Sequence, residues 1–119
     1  MTTNSINSDQ VETKKLPGRD VKVLSDALQV KNLTFGLCEV PPQAAMNPHG
    51  HTQEEVIFIL EGHGHVNIGG QQEPIRPGTL VHFPSGVEHV ITNQSDGLMR
   101  FTFCFSPPVK VGSYDKVGK

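Results

Sequence analysis

The sequence predicts an all-β domain, and three observations carry that prediction. Twelve Gly and nine Pro fall among 119 residues, short segments are rich in Val, Ile, Phe and Thr, and no long stretch repeats its apolar residues at the helical period. The first ordered residues are Leu16-Pro17-Gly18, after a polar stretch, 1–15, with no apolar period. That stretch reads as a flexible N-terminal tail. Strands are then expected at Val21–Leu24, Leu33–Val40, Glu55–Leu60, Gly64–Ile68, Leu80–Phe83, Glu88–Thr92 and Met99–Phe105. The punctuation between them is Pro41-Pro42, Gly62, Gly69-Gly70, Pro77-Gly78, Pro84-Ser85-Gly86, Asp96-Gly97 and Pro107-Pro108, all residue types that close turns. Only Ser25–Lys31 reads as a helical turn. Seven strands at this spacing suit a small barrel or jelly roll, which leaves few long sheet edges exposed.

The mass, 13.0 kDa, is that of one domain. The domain is expected over 16–108, with a C-terminal tail over 109–119. A chain of this size buries roughly two thirds of its unfolded surface, so its core needs neither a disulfide nor a structural metal. A metal here would serve chemistry. No apolar run approaches the roughly 18 residues that a membrane span requires, and the first residues lack the apolar centre of a signal peptide, so a cytoplasmic location is expected. Ten Lys and Arg against twelve Asp and Glu give a net charge of -2, with no basic cluster to follow a phosphate backbone, so nucleic acid is not an expected partner. Cys38 and Cys104 stand alone, without CxxC spacing, and are expected as reduced thiols.

Chemistry concentrates in Pro48-His49-Gly50-His51-Thr52-Gln53-Glu54-Glu55. Alternation sends His49 and His51 to one side, and Glu55, an even number of residues further on, joins them if the strand is regular. Downstream, the turn Pro84-Ser85-Gly86 leads to His89, with Asn93 four residues beyond. Imidazoles and a carboxylate form a mixed N/O donor set suited to one divalent transition metal: Fe, Mn, Ni, Co, Cu or Zn. Four ligands on an octahedral ion leave two positions for substrate or oxygen.

These two stretches resemble the cupin superfamily, in particular its small single-domain members. The first family motif, G-x5-H-x-H-x3-E-x6-G, is matched at His49, His51, Glu55 and Gly62, while Gln43 stands where its opening Gly belongs. The second, G-x5-P-x-G-x2-H-x3-N, is matched in full by Gly78, Pro84, Gly86, His89 and Asn93. The resemblance covers about residues 16–108. It implies a double-stranded β-helix, or jelly-roll barrel, whose interior holds a metal on His49, His51, Glu55 and His89. It also implies a homodimer, since small cupins commonly dimerise, often by strand exchange, which here would involve Val21–Leu24.

The remaining histidines read differently. His63-Gly64-His65 repeats the HxH pattern, but Val66 and Ile68 should face the core, which turns His63 and His65 outward. His82, between Val81 and Phe83, is expected to bond locally, and Cys104 to act as a small buried hydrophobe. By parity Ile57, Ile59, Val87 and Ile91 share the inward face of Glu55 and His89. The last strand offers either its three phenylalanines or Arg100, Thr102 and Cys104 to the interior. Phenylalanine is expected inside, because the core needs aromatic volume and the chain has no Trp; Arg100 inside would instead favour a carboxylate or phosphate. Val56, Phe58 and Leu60 then form a second apolar face, to be covered by another sheet or a partner subunit.

The function expected is that of a metal-dependent enzyme acting on a small oxygen-bearing organic molecule. A dioxygenase or other oxidative enzyme suits the apolar wall best. The alternatives are an isomerase or lyase of sugars or organic acids, and a non-catalytic, metal-dependent binding or sensor module. Glu54 and Glu88 should point away from the metal, so no catalytic base is assigned.

Overall fold

Strand boundaries follow the turn residues closely. The computed structural model describes residues 4–46 and 50–113, and among them the strands are β1 Lys14–Leu16, β2 Arg19–Val23, β3 Thr34–Val40, β4 Glu54–Glu61, β5 Gly64–Ile68, β6 Gln71–Ile75, β7 Leu80–Phe83, β8 His89–Asn93 and β9 Met99–Ser106. All seven expected strands form. The helical turn is a short 3-10 segment, Leu24–Ala27, and a second one occupies Ser8–Gln10.

Two strands depart from expectation, and both lie at sheet edges. β1 begins inside the stretch read as a tail and pairs with β2, Lys15 opposite Asp20. β6 pairs with β5 and is exposed except at Ile75. Neither needs an apolar period, because an edge strand with solvent on its faces satisfies its backbone on one side only; Pro74 in β6 is tolerated for the same reason.

The strands form two antiparallel sheets, one ordered β1-β2-β3-β9-β4-β7 and one ordered β6-β5-β8. The segment before the first motif runs along β8: the Met46 amide donates to Ile91 at 2.9 Å and the Asn93 amide to Ala44 at 2.8 Å. Alternation puts Phe101, Phe103 and Phe105 of β9, Ile57 and Ile59 of β4 and Val66 and Ile91 of the smaller sheet into one buried core. Each such side chain contributes about 1.5–3 kcal/mol by leaving water.

The motif residues that are not metal-ligand types turn out to build the turns. Gly62 has φ of 88°, and a Cβ there would stand 2.8 Å from Met99 Cα, so only glycine fits. Asn93 is fully buried, and its amide donates to the carbonyls of Val40, Pro41 and Gly97 at 3.1, 3.0 and 2.9 Å. It ties the ends of β3 and β8 and the loop before β9 into one knot. Gln43, at the missing motif glycine, takes the left-handed φ of 56° itself. Its amide donates to the carbonyls of Gln94 at 2.9 Å and Ser95 at 3.2 Å, which offsets the cost of that conformation.

Outward residues on the larger sheet stand in rows set by the register. Leu37, Thr102, Phe58 and Leu80 are successive partners across β3, β9, β4 and β7, and Phe35, Cys104, Val56 and His82 form the next row. Phe58 is 42% and Leu80 65% exposed. The second apolar face is therefore uncovered within one chain. Cys104, expected to be buried, is only half-buried, because the phenylalanines of β9 take the inside and alternation sends the cysteine out.

Candidate metal centre

Glu55 lies on β4 between Phe83 of β7 and Phe105 of β9, its partners in the two flanking strands. All three side chains point inward and are buried. Phe83 stacks on the His89 ring at 3.9 Å between centroids, and Phe105 meets the His51 ring edge-on at 5.0 Å. The cross-strand neighbours of the carboxylate therefore hold the two imidazoles beside it. His51 precedes β4 on a loop that the second motif secures, the Gly86 amide donating to the His51 carbonyl at 2.7 Å. His89 opens β8 just after that turn.

The donor atoms converge. His51 Nε2 lies 3.2 Å and His89 Nε2 3.5 Å from the same oxygen, Glu55 Oε1. One ligand atom from each of the three residues falls within 4.8 Å of the others, with all three residues buried. Donors bound to one ion at about 2.1 Å stand roughly 3–3.5 Å apart, so the spacing fits a transition ion.

Hydrogen-bond logic leads to the same requirement. His51 Nδ1 lies 2.8 Å from the Gln53 carbonyl; a carbonyl only accepts, so Nδ1 carries the proton. The opposite nitrogen, Nε2, faces a carboxylate oxygen, and two acceptors at 3.2 Å need a proton or a cation between them. In the metal-free protein a proton serves. Burial works against the charged form of His51, but the hydrogen bond to Glu55, the Gln53 carbonyl and the Glu55 charge together raise its pKa above 6.5. Burial likewise pushes the Glu55 carboxyl upward, opposed by the hydrogen bond and charge of His51 and by the charge of Arg19.

His49, expected as a further ligand, lies outside the described residues. The other histidines fall where alternation places them. His63 is exposed, His65 half-buried beside the buried Val66, and His82 Nε2 pairs with Glu54 Oε2 at 2.7 Å on the outer face. Arg100 is also outside, bonded through Nε to Glu39 and through Nη1 to Glu61, both at 3.0 Å. The cavity beside Glu55 and His89 is walled largely by apolar side chains, among them Phe101, Phe103, Phe105 and Ile91. Ile57 and Ile59 are buried as expected, whereas Val87, in the turn before β8, is half-buried.

Sequence reasoning missed Arg19. It lines the same cavity and is 3% exposed, with Nη1 donating to the Pro17 carbonyl at 3.0 Å. The signal was available: Arg19 has the parity of Val21 and Val23, so extending that strand two residues back turns it inward.

Fold and site together define a jelly-roll barrel with a buried His-Glu-His cluster compatible with a divalent metal. The chain belongs to the cupin family: the family model for the cupin domain matches residues 36–105. Dimethylsulfoniopropionate lyase DddW of Ruegeria pomeroyi is 34% identical over 76 residues, 64% of this chain and 49% of that protein. Acireductone dioxygenase of Bacillus subtilis is 40% identical over 53 residues, 40% of this chain and 30% of the enzyme. The chain thus matches half or less of either relative's length. Among solved structures, an RmlC-like cupin from Shewanella frigidimarina superposes with a TM-score of 0.76 at 20% identity, covering 89% of this chain and 92% of that one. At that identity the likeness speaks to the fold alone. No helix among the described residues is long and apolar enough to cross a membrane.

Proposed function

We propose that this cupin is a metal-dependent enzyme of oxidative, dioxygenase-like type acting on a small oxygen-bearing organic molecule. The observation that carries the reading is the buried set of His51, Glu55 and His89 donors facing a wall of phenylalanines. His51, Glu55 and His89 would hold the ion, with His49 as the further ligand that the sequence motif implies. A bound divalent transition ion supplies Lewis acidity and, when redox-active, a route for electrons to dioxygen. The chain's own part is to fix the ligands and keep water out. Phe83 and Phe105 orient the imidazoles, the Gln53 carbonyl sets the His51 tautomer, and the apolar wall lowers the local dielectric. The similarity to an acireductone dioxygenase supports this choice.

A second reading, a metal-dependent lyase or isomerase, is favoured by one observation: a cationic side chain, Arg19, borders the otherwise largely apolar cavity, and a dimethylsulfoniopropionate lyase is among the relatives. One experiment separates the readings. Protein loaded separately with Fe, Mn, Ni and Zn is mixed with diketones, catechols, uronates and organic acids, and oxygen uptake and products are followed. Oxygen consumption with Fe or Ni but not Zn is expected. Turnover with Zn and without oxygen would favour the second reading, and binding without conversion in every metal form would make the chain a binding module.

A further inference from the structure

Arg19 is the only Lys or Arg buried among the described residues, as Glu55 is the only buried Asp or Glu. Both border one cavity. Arginine is seldom buried without a specific electrostatic role, and β2 places this one by strict alternation, with Arg19, Val21 and Val23 inward and Asp20 and Lys22 more exposed. The Pro17 carbonyl at 3.0 Å fixes one end of the guanidinium. Around it the wall is Cys38, Met46, Phe101 and Val111, side chains that neither accept strong hydrogen bonds nor screen charge. Its positive charge acts on both Glu55 and Cys38.

We infer that Arg19 is a specificity-determining residue that binds a carboxylate of the substrate while another oxygen of the same molecule meets the ion at His51, Glu55 and His89. The inference rests on reading that cluster as a metal centre, and it narrows the substrate class from oxygen-bearing molecules to small organic acids. A carboxylate fits better than a phosphate, because a single guanidinium fork matches two coplanar oxygens. The phosphate-cradling run of backbone amides at a helix start has no counterpart here, since the two helical segments are short 3-10 turns. Arg100, the other arginine that the sequence offered for this role, is committed outside to Glu39 and Glu61.

The test uses cobalt(II)-loaded protein, whose visible spectrum reports ligands at the ion. It is titrated with malonate and succinate and with their monoamides, which keep one carboxylate for the metal and lose the second. Wild type should bind the dicarboxylates about ten- to hundredfold more tightly, the worth of a charge-assisted hydrogen-bonded pair. In Arg19→Met and Arg19→Gln the preference should fall to near one while cobalt content stays unchanged, and Arg19→Lys should keep part of it. An undiminished preference in Arg19→Met, or none in wild type, overturns the inference. If the variants do not fold, metal-free wild type decides. Succinate should then raise its Tm above that in succinamide at matched ionic strength, and equal Tm values overturn the inference. Cobalt stoichiometry is read separately, so failure to take up the ion sinks the metal reading while the metal-free arm still judges Arg19.

Discussion

Phe83 lies almost flat on His89, with ring centroids 3.9 Å apart and planes 16° from parallel. Phe83 is fully buried on β7 and is the cross-strand partner of Glu55, so one aromatic ring sets the position of two donors. Phe83→Leu keeps an apolar side chain but removes the flat support. Metal affinity should fall about tenfold through loss of ligand orientation, read by chelator competition, while stability changes by about 1–2 kcal/mol. Unchanged affinity would show that the stack only fills space.

Metal content tests the ligand set. Purified protein should hold about one transition-metal ion per chain. His51→Ala or His89→Ala should lose most of it by elemental analysis, whereas the double change His63→Ala and His65→Ala should leave it intact, since neither of those histidines joins the cluster. Full retention in the first pair, or loss in the second, would contradict the assignment.

The pH dependence follows from the proton shared by His51 and Glu55, whose pKa values are both raised. For His51 the folded pKa exceeds the unfolded one, so its contribution to metal-free stability is present below about pH 6.5 and fades as pH rises through the raised value. Glu55 acts in the same direction, because its buried carboxylate becomes less tolerable as it ionises. A bound ion replaces the proton, so metal affinity grows with pH. The Tm difference between metal-loaded and metal-free protein should therefore widen from pH 5 to pH 8, in scanning calorimetry. A gap that narrows over that range would refute the shared proton.

At Gly64 the packing leaves no room for a methyl group. A Cβ on that residue would stand 1.9 Å from the Thr92 carbonyl oxygen, across the pairing of β5 with β8. Gly64→Ala should cost about 3 kcal/mol or more, measured by chemical denaturation, because backbone rather than a flexible side chain must move. A cost below about 1 kcal/mol would mean that β5 and β8 part easily.

We propose a homodimer through the outer face of the larger sheet. A second copy suits this face because its apolar rows, from Leu37 to Leu80 and from Phe35 to His82, run in register across four strands, and a two-fold axis lays such a surface against itself. The rows are closed at one side by the Glu39, Arg100 and Glu61 group, which keeps charge out of the centre. Strand exchange is not required, as β2 pairs with β3 of its own chain. Sedimentation should give a dimer at micromolar concentration, and Phe58→Glu a monomer; a monomeric wild type would refute it.

Much of this architecture is written in local pattern. Period-two alternation, with turn residues between, marks seven strands and sends Phe101, Phe103 and Phe105 inward, because a strand's side chains have only two directions to choose from. The spacing from His51 to Glu55 and the turn before His89 announce a donor cluster for the same reason. Polar edge strands such as β1 and β6 bury too little to leave a period, and they form because a neighbour offers an unpaired backbone edge.

Tertiary structure alone decided three things. It gave Gln43 a glycine's backbone conformation, since the carbonyls that hold its side chain belong to Gln94 and Ser95, far along the chain. It brought Phe83 and Phe105 to either side of Glu55, a relation set by strand order and register, which no local pattern encodes. And it set Arg19 in the cavity of the metal cluster: alternation can turn a charge inward, but only the closing of the barrel determines which other inward groups it meets.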